Sequence, residues 1–152
     1  MIDRSVEPLV REVFNAVIVG DETRFENALS AISDDRADYA LRLATAIDRT
    51  VIRDLHDGPP SDERVQSLTH QFIEMQKWSN PKDLPVENFL RSIAGLPAEP
   101  VPTDISGLLA FLVGGWLLAA FLNSGNQWYE YLDDILDRLD VDQGESWASD
   151  LK

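Results

Sequence analysis

Apolar side chains recur every three or four residues along most of the chain, which is the spacing of one face of an α-helix. The first such stripe runs from Val6 to Ile18. Period-two alternation, which is typical of β-strands, is absent over any useful length. The pattern therefore predicts an all-α protein with six or seven helices. The expected stripes lie at residues 6–18, 21–32, 34–55, 61–78, 85–93, 105–122 and 127–141.

Residues that favour helix ends stand where these stripes begin and stop. Asp21 and Ser61 are expected N-caps, because their side-chain oxygens can accept a hydrogen bond from the backbone of the first helical turn. Ser33 or Asp34 is expected to do the same for the third helix. Gly20 and Gly95 are expected to end the first and fifth helices.

The run from Ile105 to Leu122 holds eighteen residues and no charged side chain. A transmembrane helix needs roughly 20 apolar residues, so the run lies at the lower limit for a span. Asp104 precedes it, and no Lys or Arg lies within ten residues of either end. These features favour a helix at the centre of the bundle that is apolar on all sides because it is buried on all sides. A membrane-associated protein is the alternative.

Three small residues within this run are spaced so that they share one helix face. Gly107, Ala110 and Gly114 lie three and then four residues apart. A face without large side chains lets another helix approach closely. The sequence predicts a helix-packing contact there, made either with the same chain or with a second copy in a homodimer.

The chain has 152 residues, which suits one domain. We expect residues 1–152 to form a single helical domain. The three prolines within residues 96–102 predict an extended connection, and the acidic C-terminus from about residue 142 is expected to be frayed.

The charge of the chain limits its partners. Its 27 acidic and 13 basic residues give a net charge of -14. Binding of nucleic acid or of an anionic membrane surface through a basic patch is therefore not expected. Residues 101–152 contain nine acidic and two basic residues, so half of the net charge follows the proline-rich connection.

Most of these acidic residues fall on one side of the last predicted helix, opposite its apolar side. Like charges four residues apart destabilise a helix, so the stripe is not explained by helix stability. One interpretation is a solvated face that keeps the protein soluble. The other is a surface for a basic protein partner, since aromatic residues beside charges are common at interfaces. The predicted partner-binding residues are Trp128, Glu130, Tyr131, Asp133, Asp134, Asp137 and Asp140.

Catalytic and metal-binding patterns are sparse. There is no Cys, no G-x-S-x-G sequence and no phosphate-binding glycine loop. Residues 34–38 and 133–137 both match a DDxxD pattern that suits Mg²⁺. The aspartates of 133–137 are expected to face water, because the apolar side of that helix must face the core. His70 and Glu74 lie four residues apart and are weak metal-ligand candidates.

These observations favour a non-catalytic, cytoplasmic protein without a cofactor. It would act as a regulator, antitoxin or immunity-like protein on a basic protein partner, or by self-association. The alternative is a helical metal- or small-ligand-binding protein, or an enzyme, that uses carboxylates or His70.

Overall fold

The structure, a computed structural model, describes residues 5–58, 60–79, 84–120 and 128–142. The described segments contain helices, turns and connections but no strand, which confirms the all-α prediction. They contain seven α-helices, the larger of the two predicted numbers. The α-helices are α1 (Glu7–Val19), α2 (Glu22–Ser30), α3 (Asp34–His56), α4 (Asp62–Met75), α5 (Val86–Ala94), α6 (Thr103–Ala120) and α7 (Trp128–Asp142).

Two of the predicted N-caps make the expected hydrogen bond. The Asp21 carboxylate accepts from the backbone N–H of Arg24 at 3.0 Å, and the Ser61 hydroxyl accepts from that of Arg64 at 3.1 Å. Ser33 stands at the N-cap of α3, but its side chain makes no capping bond. Helix α3 therefore begins where predicted without the expected side-chain support.

Glycine ends α1 and α5, as the sequence predicts. Gly20 and Gly95 have φ angles of 71° and 82°, in the left-handed region that other residues adopt at a cost. Each donates its backbone N–H to a carbonyl of the preceding turn. The chain can therefore reverse direction immediately after each helix.

The prediction for α4 was wrong at its C-terminal end. The apolar stripe was expected to continue through Met75 to Trp78, but the α-helix stops at Met75 and a 3-10 turn, Lys77–Ser79, follows. The Met75 side chain is 59% exposed, and the last buried residue of α4 is Phe72. The apolar pattern thus continues past Phe72, although the residues beyond Phe72 in α4 are no longer buried.

Helix α6 is the centre of the bundle, which confirms the prediction for the apolar run. It packs against α1, α3, α5 and α7, and its residues from Leu109 to Leu118 are buried. It begins at Thr103, two residues before the predicted start. Phe121, Leu122 and the C-terminus beyond residue 142, for which fraying was expected, lie outside the described residues.

Helices α3 and α6 run in the same direction. Leu41 lies opposite Gly107, and Asp48 lies opposite Gly114, so the contact repeats after seven residues on both helices. Residues 96–102 make the connection to α6 and contain no helix. The guanidinium of Arg91 holds this connection by donating to the carbonyl of Pro97 at 2.6 Å.

Candidate functional site

A groove of about 510 Å³ with a largely apolar lining lies between the end of α2 and the first turns of α3 and α6. We call it the α2–α3–α6 groove. Eight residues supply its apolar surface, and all but the buried Ala40 and Phe111 are at least partly exposed. These apolar lining residues are Leu29, Ile32, Ala37, Ala40, Leu41, Gly107, Leu108 and Phe111.

Three carboxylates stand beside this apolar surface. Asp34, Asp38 and Asp104 line the groove and are exposed. Asp38 forms an ion pair with Arg42 at 2.9 Å, yet its side chain is still 71% exposed. Among the described residues that line the groove, none is Lys or Arg. The groove therefore combines apolar area with three carboxylates, of which Asp38 is paired with Arg42.

Helix periodicity places the carboxylates and the apolar residues together. On α6, Asp104, Gly107, Leu108 and Phe111 follow the spacing of one helix face, and α3 supplies four residues with the same spacing. In each helix the first residue of this set is an aspartate, Asp34 in α3 and Asp104 in α6. Because α3 and α6 run in the same direction, the carboxylates gather at one end of the groove. The α3 residues are Asp34, Ala37, Asp38 and Leu41.

The predicted acidic stripe of α7 is exposed, but several of its members contact the rest of the chain. Asp133 accepts a hydrogen bond from Arg11 of α1 at 2.6 Å. Asp134 lies 3.4 Å from Arg138 on the same helix. These contacts place basic groups beside carboxylates that were expected to meet a basic partner.

Tyr131 and Arg138 attach α7 to α3. The Tyr131 hydroxyl donates to the carboxylate of Asp54, and Arg138 donates to the same carboxylate at 2.6 Å. Partial burial raises the pKa of Asp54, but these hydrogen bonds and the positive charge of Arg138 outweigh burial and lower that pKa. Burial and the neighbouring carboxylate raise the pKa of Tyr131.

The remaining α7 residues of the predicted binding set differ in exposure. Glu130 and Asp137 are exposed, Trp128 is half-buried, and the side chain of Asp140 lies outside the described residues. The indole of Trp128 packs edge-to-face against Tyr129. A partner surface on α7 stays a prediction.

The three small residues of α6 have different neighbours. Gly107 borders the α2–α3–α6 groove, where a Cβ atom would meet only Leu41, at 3.8 Å. Ala110 is fully buried. Gly114 lies so close to Asp48 and Phe14 that a Cβ atom would overlap both side chains. The small face is thus turned toward helices of the same chain, and homodimerisation stays a prediction.

Asp48 is fully buried in the middle of α3, and it is the one polar side chain in the described core. Neither carboxyl oxygen has a hydrogen-bond partner among the described residues. Burial raises the pKa of this carboxyl group well above its usual range. The sequence interpretation overlooked Asp48. Its position four residues after Ala44, on the face that also carries Val51, was the available signal.

The weak metal candidates His70 and Glu74 belong to no cluster of potential ligands in the described segments. His70 is exposed on α4. Glu74 is also exposed and pairs with Lys77 at 3.2 Å. The described part of the chain contains no group of three or more His, Cys, Asp or Glu side chains that could hold a metal ion.

His56 has a structural role at the end of α3. Its Nδ1 lies 2.7 Å from the carbonyl oxygen of Ile52, so Nδ1 carries the hydrogen and donates it. Its Nε2 accepts a hydrogen bond from Arg64 of α4 at 3.0 Å. His56 therefore links α3 to α4, and both of its ring nitrogens make hydrogen bonds within the chain.

Within the described segments, none of the helices combines the length and the apolarity that crossing a lipid bilayer requires.

Comparisons of the chain with protein-family models, with curated proteins and with solved structures found no match.

Proposed function

We propose that the protein binds a basic amphipathic helix of a partner protein in the α2–α3–α6 groove. The observation that carries this proposal is the pairing of an apolar surface with Asp34, Asp38 and Asp104, without Lys or Arg among the described lining residues. A helix that presents an apolar stripe flanked by Lys or Arg matches both features. A regulator, antitoxin or immunity-like protein that masks a basic surface would act in this way.

The apolar residues and the carboxylates would contribute differently to binding. Burial of partly exposed side chains such as Leu29 and Leu108 supplies affinity through the hydrophobic effect. The three carboxylates attract the basic partner during its approach and fix its orientation. Affinity and association rate should therefore decrease with salt, while the apolar contribution persists.

Charge favours a basic partner over a second copy as the occupant. A second copy would bring a net charge of -14 toward a groove that already carries three carboxylates. Like-charge repulsion opposes that contact, whereas Lys or Arg side chains would offset the negative potential.

Binding of a fluorescently labelled helical peptide with a leucine face and a lysine face tests the proposal by anisotropy. The test variant carries Asp34→Asn, Asp38→Asn and Asp104→Asn. The matched control removes three charges from α7 through Glu130→Gln, Asp134→Asn and Asp137→Asn. We expect the groove variant to lose about tenfold or more in affinity and the α7 variant to lose about threefold or less.

Two other results would contradict binding in the groove. A larger loss in the α7 variant would move the site to the acidic stripe. Equal losses in both variants would show attraction to the overall charge and overturn the proposal.

The apolar part of the site needs a separate variant. Leu108→Ser should weaken peptide binding without changing its salt dependence, because it removes apolar contact area and no charge. Sedimentation equilibrium of the unmodified protein completes the test. A dimer that Leu108→Ser abolishes would make a second copy the occupant in place of a basic partner.

A further inference from the structure

A second cavity, of about 330 Å³, lies beside the α2–α3–α6 groove and differs from it in charge. It opens between α3, the end of α5 and the first turn of α6, and we call it the arginine pocket. Arg42 and Arg49 line it together with four hydroxyl-bearing side chains. These are Thr45, Ser92, Thr103 and Ser106.

Two arginines in one pocket stand out in a chain with twice as many acidic as basic residues. Asp38 is the one carboxylate in its lining. The groove and the two cavities beside α1 each have at least as many carboxylates as guanidinium groups in their linings. The arginine pocket is thus the one of these four in which guanidinium groups outnumber carboxylates among the described lining residues.

Helix periodicity directs both arginines to the same place. Arg42, Thr45 and Arg49 are spaced by three and then four residues, so they share one face of α3. The Arg42 side chain is only 22% exposed, which increases the strength of its interactions compared with a guanidinium in open solvent. The planar fork of donors on each arginine matches the geometry of phosphate and carboxylate groups.

Hydroxyl groups surround the arginines on the side of α6. Thr103 and Ser106 belong to the first turn of α6, and Ser92 lies near the end of α5. Thr45 is not a donor to a ligand, since its hydroxyl already donates to the carbonyl of Leu41 at 2.8 Å. The other three hydroxyls can donate to oxygen atoms of an anion that the arginines hold.

We propose that the arginine pocket binds the phosphate group of a small phosphorylated molecule. A phosphate offers three or more acceptor oxygens, which suits two guanidinium groups and several hydroxyls better than a carboxylate does. The volume of about 330 Å³ is at the lower end for small-molecule sites and leaves room for a short organic part beside the phosphate.

Asp38 lies at both neighbouring sites, where its carboxylate should favour a basic peptide in the groove and oppose phosphate in the arginine pocket. It lines the groove as well as the arginine pocket, and its carboxylate pairs with Arg42. An incoming phosphate must compete with that carboxylate for Arg42. Asp38→Asn should therefore strengthen phosphate binding, although the same substitution weakens binding of a basic peptide in the groove. The two proposals can thus fail independently.

Titration of ¹⁵N-labelled protein with inorganic phosphate at constant ionic strength tests the site by NMR. We expect saturable shifts at Thr103, Ser106 and the α3 residues between Arg42 and Arg49. Arg42→Gln and Arg49→Gln should each weaken binding about tenfold or more, and Asp38→Asn should tighten it. Arg53→Gln is the matched control, because Arg53 is exposed on α3 and does not line the pocket.

Three results would overturn the proposal. These are shifts that do not saturate with phosphate, equal weakening by Arg53→Gln, and tighter saturation by acetate than by phosphate. Arg49→Lys, which keeps the charge, and the Arg42→Gln variant cover the case in which Arg49→Gln fails to fold. Retained binding in every folded arginine variant would count against the pocket as well.

Discussion

An oxygen atom of the Asp48 carboxyl group occupies the space that a Cβ atom on Gly114 would need. The contact lies at the centre of the bundle, where α3 and α6 run side by side. The Phe14 ring of α1 closes the same space, 2.5 Å from that Cβ position. Glycine at position 114 therefore permits three helices to meet around one buried carboxyl group.

Gly114→Ala is expected to lower the free energy of unfolding by about 1–3 kcal/mol, because the added methyl group forces Asp48 and Phe14 out of well-packed positions. Chemical denaturation followed by circular dichroism measures the change. Gly107→Ala is the matched control, since its Cβ would have only ordinary contact with Leu41. The control should be neutral or stabilise by up to about 1 kcal/mol, as alanine favours helix more than glycine does. Equal destabilisation by both substitutions would contradict the close approach at Gly114.

Asp48→Asn is expected to stabilise the protein by about 1–3 kcal/mol at neutral pH, because it removes the cost of holding a proton on a buried carboxyl group that has no hydrogen-bond partner among the described residues. The raised pKa of Asp48 means that the folded state keeps a proton that the unfolded chain releases above its ordinary pKa. This contribution to stability is present at low pH and is lost as pH rises from that ordinary value through the raised pKa.

Denaturation of both proteins at a series of pH values measures the effect. The gain from Asp48→Asn should be smallest at acidic pH and grow with pH. Asp137→Asn serves as the control on an exposed carboxylate and should show no such growth. A constant difference between Asp48→Asn and the unmodified protein across the series would disprove the assignment.

Sequence periodicity predicts the helices of this protein well, because a stripe of apolar residues reports directly which face is buried. It predicts the polar exceptions poorly. Asp48 falls on the buried face of α3, and only the three-dimensional packing shows that no described side chain or backbone group bonds to it. The α2–α3–α6 groove was missed for a related reason, since three separate helices each supply part of its lining.

The α7 stripe shows the opposite difficulty. Its exposure follows from helix geometry, and the structure places Glu130, Asp133, Asp134 and Asp137 on the exposed side. The partners Arg11 and Asp54 belong to distant parts of the chain, so the sequence could not reveal that they engage this helix. Local patterns predict exposure but not the long-range contacts of an exposed side chain.

Tyr131→Phe is expected to cost about 0.5–1.5 kcal/mol, because it removes the hydroxyl that donates to Asp54 and leaves the ring in place. The lowered pKa of Asp54 gives the effect a pH dependence. The hydrogen bond to the carboxylate stabilises the fold above the ordinary pKa of aspartate and is lost as pH falls through the lowered pKa.

Thermal denaturation at neutral and acidic pH checks this prediction. Tyr129→Phe is the matched control, since Tyr129 is exposed on the same helix and its side chain makes an edge-to-face contact with Trp128 that the substitution retains. A loss for Tyr131→Phe that stays the same at acidic pH would contradict the role of the Asp54 carboxylate.

The helix caps provide a comparison between two serines at equivalent positions. Ser61→Ala is expected to lower the free energy of unfolding by about 1 kcal/mol, because the backbone N–H of Arg64 loses its acceptor. Ser33→Ala should cost less, since Ser33 makes no capping hydrogen bond with α3. Urea denaturation of the two variants under the same conditions measures both values. If Ser33→Ala proves as costly as Ser61→Ala, residue preference at the N-cap matters here independently of the hydrogen bond, and the structural distinction between the two helix starts is wrong.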